Sequence, residues 1–330
     1  MLILNHISFE PHAYPKKIVL IFGFGLLGWN IVDCLNIRKS FVIHSLQYSW
    51  KNSKDRALQN ATILKFLTDN VKDKAKIDSI HMQISILWSA GKGGFGMNTG
   101  EAATEIDAFR DVIVLAKDIR RIFPYISIFF HMLSSAGGLY EGHCNVTPDT
   151  PPHPIRPYGF LKLEQEKYAS TLSDIEVNVL IYRLSSVYGY AGNWRRLGLV
   201  PTLLRNAREM KVSCIFGRID TLRDYVLASD VGRFIAASIM EPDHGYNVFT
   251  LASGKPSTVF EILRSVESLL HKKLYLQFIA TDINSAHNSY SRSVLPKTWK
   301  STDLQTGIRH TYLELIGRPQ LSFQYLIVSA

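Results

Sequence analysis

Apolar residues fall along this chain in two alternating rhythms. Short apolar runs at 18–22, 40–46, 84–89, 126–133 and 177–184 have strand length, and polar segments bound them, as expected of strands buried in a parallel sheet. Between them the spacing becomes helical. Residues 26–35 repeat with a helical period, and 101–122 places Ile106, Phe109, Ile113, Ala116 and Ile119 on one helix face. Strands alternating with helices predict an α/β fold, a doubly wound parallel sheet joined by right-handed crossovers. Beyond residue 184 the rhythm changes. A loop at 192–201 leads to helices at 202–211 and 229–240, then to one at 257–270 opened by a Ser257 cap with Glu261 a turn on. Residues 271–297 are polar and irregular, and 304–316 form the last helix. The plan is an N-terminal arm at 1–15, carrying Pro11 and Pro15, a sheet domain at 16–184, and a smaller α/β lobe at 185–330 partly interleaved with it.

Composition narrows the functional classes. With 330 residues, 46% of them hydrophobic and 20% charged, the chain can bury a core of roughly two units at ~150 residues each, which excludes disorder, collagen and coiled coil. Cys34, Cys144 and Cys214 are odd in number and widely spaced. They form neither a disulfide framework nor a zinc ligand set, so no metal site is expected and a reducing, cytoplasmic setting is. The net charge of +9 is spread over short pairs such as Lys16-Lys17 and Arg120-Arg121. A nucleic-acid binder more often shows a clustered stripe, so anionic small molecules are the expected partners. The uncharged run at 18–32 contains three glycines and Asn30 and falls short of the ~18 residues a membrane span needs.

Those glycines have a more specific use. Gly23-Phe24-Gly25-Leu26-Leu27-Gly28 is GxGxxG between the first strand and the first helix. The first glycine makes the tight turn, the second admits a pyrophosphate against the backbone, and the third lets helix and strand pack closely. The acidic residue that grips the adenosine ribose about 20 residues on is missing, because nothing between Asp33 and Asp55 is acidic. Two readings stay open. Lys51, Lys54 and Arg56 could receive a 2′-phosphate, which points to NADP, or Ser45 or Gln47 could bond the ribose of NAD.

Tyr158 and Lys162 stand four apart in a helical stretch, so they share a face and the ammonium can sit near the phenol. A free phenol titrates near pH ~10, and a fixed cation beside it favours the phenolate needed for base catalysis. Ser134 and Ser135, at the end of the preceding strand, are candidates to bond the reacting oxygen and relay a proton. His131 on that strand reads as a packing residue rather than a base.

Together these segments resemble the extended short-chain dehydrogenase/reductases, in their nucleotide-sugar epimerase/dehydratase branch. The resemblance runs over 23–28, 134–142, 152–169, 182–189, 198–207, 216–231 and 302–312. It implies a Rossmann domain binding NAD or NADP, with Ser89 and Ala90 also against the cofactor, and a C-terminal lobe binding a nucleoside-diphosphate sugar. It makes Tyr158 the base and Lys162 its partner, gives Arg223 the substrate diphosphate, puts Phe216 against the nucleobase with Leu199 beside it, and implies a homodimer through two long helices. Three positions depart from the pattern: Ala136 stands where a serine or threonine is usual, and Glu105 and Ser186 stand where asparagines are. The expected activity is epimerisation by C4 oxidation, rotation and re-reduction. A keto-sugar reductase and a dinucleotide-sensing protein with weak turnover are the alternatives. Dehydration is disfavoured because Gly137-Gly138 replaces the acidic pair it uses.

Overall fold

The apolar runs become strands because their pleat buries both faces. The computed structural model describes residues 1–6, 16–36, 41–71, 82–91, 93–94, 96–190, 192, 197–281 and 286–317. In chain order the first half contains β1 (Leu2–His6), β2 (Lys16–Phe22), α1 (Leu26–Asn36), β3 (Phe41–Ser45), α2 (Ser53–Val71), β4 (Met82–Trp88), α3 (Thr99–Ile122) and β5 (Ser127–Ser135). The short α4 (Ala136–Leu139), α5 (Pro157–Ser170), β6 (Asn178–Leu184), β7 (Ser186–Tyr188), α6 (Leu199–Arg208), β8 (Ser213–Phe216), β9 (Leu222–Arg223) and β10 (Tyr225–Leu227) follow. The chain continues with α7 (Ala228–Met240), β11 (Tyr246–Leu251), β12 (Ser257–Thr258), α8 (Val259–Leu270), β13 (Leu276–Ile279) and α9 (Leu304–Gly317).

Among the described residues seven strands form the central sheet in the order β11-β6-β5-β4-β2-β1-β3, with β11, β6, β5, β4 and β2 mutually parallel. Alternate residues face opposite sides. Ile18, Leu20, Phe22, Ile84, Ile86, Trp88 and Phe130 pack under α2, α3 and α5, while Val19, Ile21, Leu87, Phe129 and Tyr182 pack under α1 and α7. The sheet is therefore doubly wound, as the alternating pattern implies. At α3, Asn98 accepts from the Glu101 amide while the Glu101 carboxylate accepts from the Asn98 amide, which fixes where the helix starts.

Residues 2–6 correct the expected arm. They form β1, which runs antiparallel between β2 and β3, paired with Leu4 opposite Val19 on one side and Ile43 on the other. Ile3 and Leu4 are fully buried, and that burial on both faces holds the strand in place. Residues 7–15 of the expected arm lie outside the described residues. A second unforeseen element is α2. Only Arg56, Ile63 and Leu67 are buried along its length, so its apolar signal is thin.

The later elements gather around Val200, Leu203, Leu204, Ile215, Ile262, Val266 and Ile308, contributed by α6, β8, α8 and α9. The chain also returns to the sheet, since α7 covers one face and β11 extends the edge beside β6. Three expectations shift locally. α6 starts at Leu199, with Pro201 in its first turn, where a missing N–H breaks no helical bond. The cap of α8 is Thr258, while Ser257 pairs with Arg223 in the β12–β9 ladder. β13 lies within the stretch read as irregular and pairs with β8. Among the described residues no helix is long and apolar enough to cross a membrane, and no cluster of three metal-ligating side chains occurs.

Candidate active site

The turn after β2 is built by close backbone approach. Gly23 has φ +99°, and a Cβ there would lie 2.3 Å from the Ala90 nitrogen. A Cβ on Gly28 would lie 2.3 Å from the Gly23 carbonyl oxygen. Around Gly25 nothing lies within 4 Å of where a Cβ would be, and its carbonyl accepts the Trp29 amide at 2.9 Å, so the open face of the turn coincides with the N-terminus of α1. Two glycines are thus required by packing and one leaves room for a ligand. Ser89 donates its hydroxyl to the Gly23 carbonyl at 2.7 Å, so it stiffens the turn from the end of β4. Phe24 and Leu27 pack towards the sheet face under α1.

Tyr158, half-buried, is the second residue of α5, directly after Pro157. Its ring lies between two glycines: a Cβ on Gly93 would come within 2.6 Å of it, and one on Gly138 within 3.1 Å. The Lys162 ammonium stands 5.8 Å from the centre of that ring. It donates to Gln165 Oε1 at 2.9 Å and to Glu105 Oε1 at 3.4 Å, all three side chains being buried or nearly so. The shared helix face read from the spacing is therefore real, but the ammonium also has a carboxylate partner on α3. Gln165 escaped the sequence reading, although its i, i+3 spacing from Lys162 was the available signal.

The two serines do not join this pair in the same way. Ser134 donates to Glu166 Oε1 at 2.5 Å, and Glu166 in turn takes Arg183 through both oxygens, at 3.0 and 2.7 Å. Arg183 also donates to the Tyr140 hydroxyl at 2.7 Å. Ser134 thus belongs to a buried network linking β5, α5 and β6, and the structure gives it to Glu166 rather than to Tyr158. Ser135 caps α4, its Oγ accepting the Gly138 amide at 3.0 Å, and so stays next to the glycine that borders the Tyr158 ring. Ala136 is fully buried and supplies no hydroxyl.

Arg223 lies on β9. Burial pulls its guanidinium below the ordinary range, while Tyr225, Glu141 and Tyr290 act in the opposite direction. Glu141 binds Arg156 at 2.8 Å, and Arg156 precedes Pro157, so a carboxylate that acts on Arg223 is tied to the start of α5. The neighbouring Asp224 is buried and turned to the amides of Ser253 (2.5 Å) and Gly254 (2.9 Å). Phe216, at the end of β8, is 53% exposed, whereas Leu199 packs on the α6/α8/α9 core.

On the adenosine side the structure revises one of the two readings. Arg56 is buried, with Nε 2.5 Å from Asp111 Oδ2, so it is not a receiver for a 2′-phosphate; Lys51 and Lys54 are exposed. Ser45 and Gln47 are exposed, but Ser45 ends and Gln47 follows a strand that β1 separates from β2. The glycine turn nevertheless suits a dinucleotide's pyrophosphate, with open space over Gly25 at a helix N-terminus, and the Tyr158–Lys162 pair lies beside Gly93.

Comparison with known proteins bears on the fold and the family. The sequence profile of the "NAD dependent epimerase/dehydratase family" matches residues 19–252. A dTDP-4-dehydro-6-deoxyglucose reductase of Escherichia coli is 25% identical over 179 residues, 52% of this chain and 56% of that protein. A dTDP-L-rhamnose 4-epimerase of Burkholderia thailandensis is 29% identical over 166 residues, 48% of this chain and 46% of that protein. The chain thus spans about half the length of the curated relatives it matches. Among solved structures, the UDP-glucose 4-epimerase of Thermus thermophilus in complex with NAD superposes with a TM-score of 0.68 at 16% identity, covering 92% of this chain and all of that one. At that identity the likeness is one of fold.

Proposed function

The chain belongs to the NAD-dependent epimerase/dehydratase family, and from that premise we propose that it is an enzyme interconverting nucleoside-diphosphate sugars at C4, with Tyr158 and Lys162 as its catalytic pair. The observation that carries the proposal is the Tyr158 ring held between Gly93 and Gly138 with the Lys162 ammonium beside it, on the same crevice as the Gly23–Ala90 turn. A bound nicotinamide dinucleotide supplies the hydride acceptor and donor. Tyr158 takes the C4 hydroxyl proton and later returns it. Lys162 favours the phenolate during that exchange. Arg223 binds the substrate diphosphate as a fixed cation, and Phe216 offers its exposed ring to the base. Ser135 is the hydroxyl left to hold the sugar oxygen, since Ala136 has none.

A keto-sugar reductase is the second reading, supported by the E. coli relative's name. Both readings use the Tyr158 phenol, which takes a proton in the epimerase's first step and gives one in the reduction, and they differ in whether the cofactor is exchanged. The test is incubation of the purified chain with UDP-, dTDP-, GDP- and CDP-sugars, with and without NADPH. Conversion without added reductant supports the epimerase, and conversion only of keto-sugars with NADPH supports the reductase. Tyr158→Phe is expected to lower kcat by about 10²–10⁴-fold while leaving NADH affinity within about threefold. Unchanged turnover in that variant removes the mechanism.

A further inference from the structure

Glu105 places a largely enclosed carboxylate where the family resemblance leads one to expect a neutral asparagine. Its side chain, 8% exposed, accepts from Lys162 and from Gln165 Nε2, each at 3.4 Å. A Cβ on Gly91 would lie 2.8 Å from the same carboxylate oxygen, so the group rests on the backbone just after β4. That backbone spans the crevice. Ala90 abuts Gly23 in the phosphate turn, and Gly93 abuts the Tyr158 ring. Gly91, against which Glu105 rests, lies between these two contacts along the chain, on one wall of the crevice.

A nicotinamide ring is positively charged when oxidised and neutral when reduced. A lone fixed ammonium on this wall favours the reduced form, whereas a carboxylate at low exposure favours the oxidised form, because screening by water is weak there. We propose that Glu105 sets the redox preference of the bound cofactor, offsetting Lys162 so that the oxidised dinucleotide binds more tightly, relative to the reduced one, than it otherwise would. The inference rests on the reading that this crevice takes a dinucleotide. It gives Glu105 a role distinct from acid–base chemistry, since no proton need leave it.

Dissociation constants for NAD⁺ and NADH, measured by calorimetry on wild type, Glu105→Gln and Glu105→Asn, test this without turnover. The ratio Kd(NAD⁺)/Kd(NADH) is expected to rise at least fivefold in either variant, about 1 kcal/mol. If Glu105 only holds Lys162 in place, both affinities change together and the ratio stays constant, which overturns the inference. Should one variant fail to fold, the other carries the measurement. Wild-type protein that binds neither dinucleotide overturns the functional reading as well, whereas an unchanged ratio overturns this inference alone.

Discussion

His131 is fully enclosed on β5, with Nδ1 2.9 Å from the Tyr182 hydroxyl and its ring parallel to that of Tyr182. Burial, reinforced by the Lys17 ammonium, pushes its pKa down to about 3. The unfolded chain exposes an imidazole that binds a proton below about 6.5. A depressed native pKa therefore contributes stability that is present above about pH 6.5 and is lost as pH falls towards 3. Between pH 6.5 and 4.5 this residue is expected to cost roughly 2 kcal/mol of unfolding free energy. The check is urea unfolding of wild type and His131→Phe across that range, in which the variant shows the shallower loss. The pattern of neighbours on β5 made a packing histidine legible in the sequence. The fate of Ser134 was not legible, because its partner Glu166 and the Arg183 that orients it come from α5 and β6, 32 and 49 residues away.

Elements carry the geometry that single residues cannot. α4 and α5 approach so closely that a Cβ on Gly159 would lie 2.2 Å from the Gly138 carbonyl, and it is this contact that aims Tyr158. Gly159→Ala is expected to push the first turn of α5 away, to cost about 1–3 kcal/mol in a thermal or urea melt, and to lower turnover more than dinucleotide affinity. An alanine that left both melt and turnover unchanged would show that the two helices do not need this contact. Element type was readable where periodicity was strong: β2, β5, β6 and α3 fall within a few residues of their expected bounds. It failed where burial is sparse, as along α2. Thr258 stands three before Glu261, the capping-box spacing that Ser257 lacks, so the cap was readable in the sequence, and the β12–β9 ladder takes Ser257 into a strand.

At the scale of the whole molecule the sheet is the expected doubly wound one with a change at one side. β1 separates the glycine-turn strand from β3, so the ends of those two parallel strands stand two interstrand spacings apart, about 9.6 Å rather than about 4.8 Å. The segment after β3 crosses back over the sheet, with Tyr48 packed edge-on against Phe22 and Trp50 against Trp88. Nothing local marks residues 2–6 as interior. Five residues with two prolines soon after read as an arm, and only pairing with strands on either side makes them a core element. The crevice itself was legible because each of its two motifs is local in sequence. The Glu105 contact was not, because it joins α3 to α5.

A strand held on both sides has a consequence for how this protein opens. Segments near the start of a chain ordinarily fray, and their amide protons are replaced by solvent deuterons within seconds to minutes. Ile3, Leu4 and Asn5 are expected to retain theirs about as long as the amides of β4, since releasing them means parting β2 from β3 altogether. Mass spectrometry of peptides spanning residues 1–6 reads this directly, and rapid labelling there would show that the inserted strand detaches without the rest of the sheet.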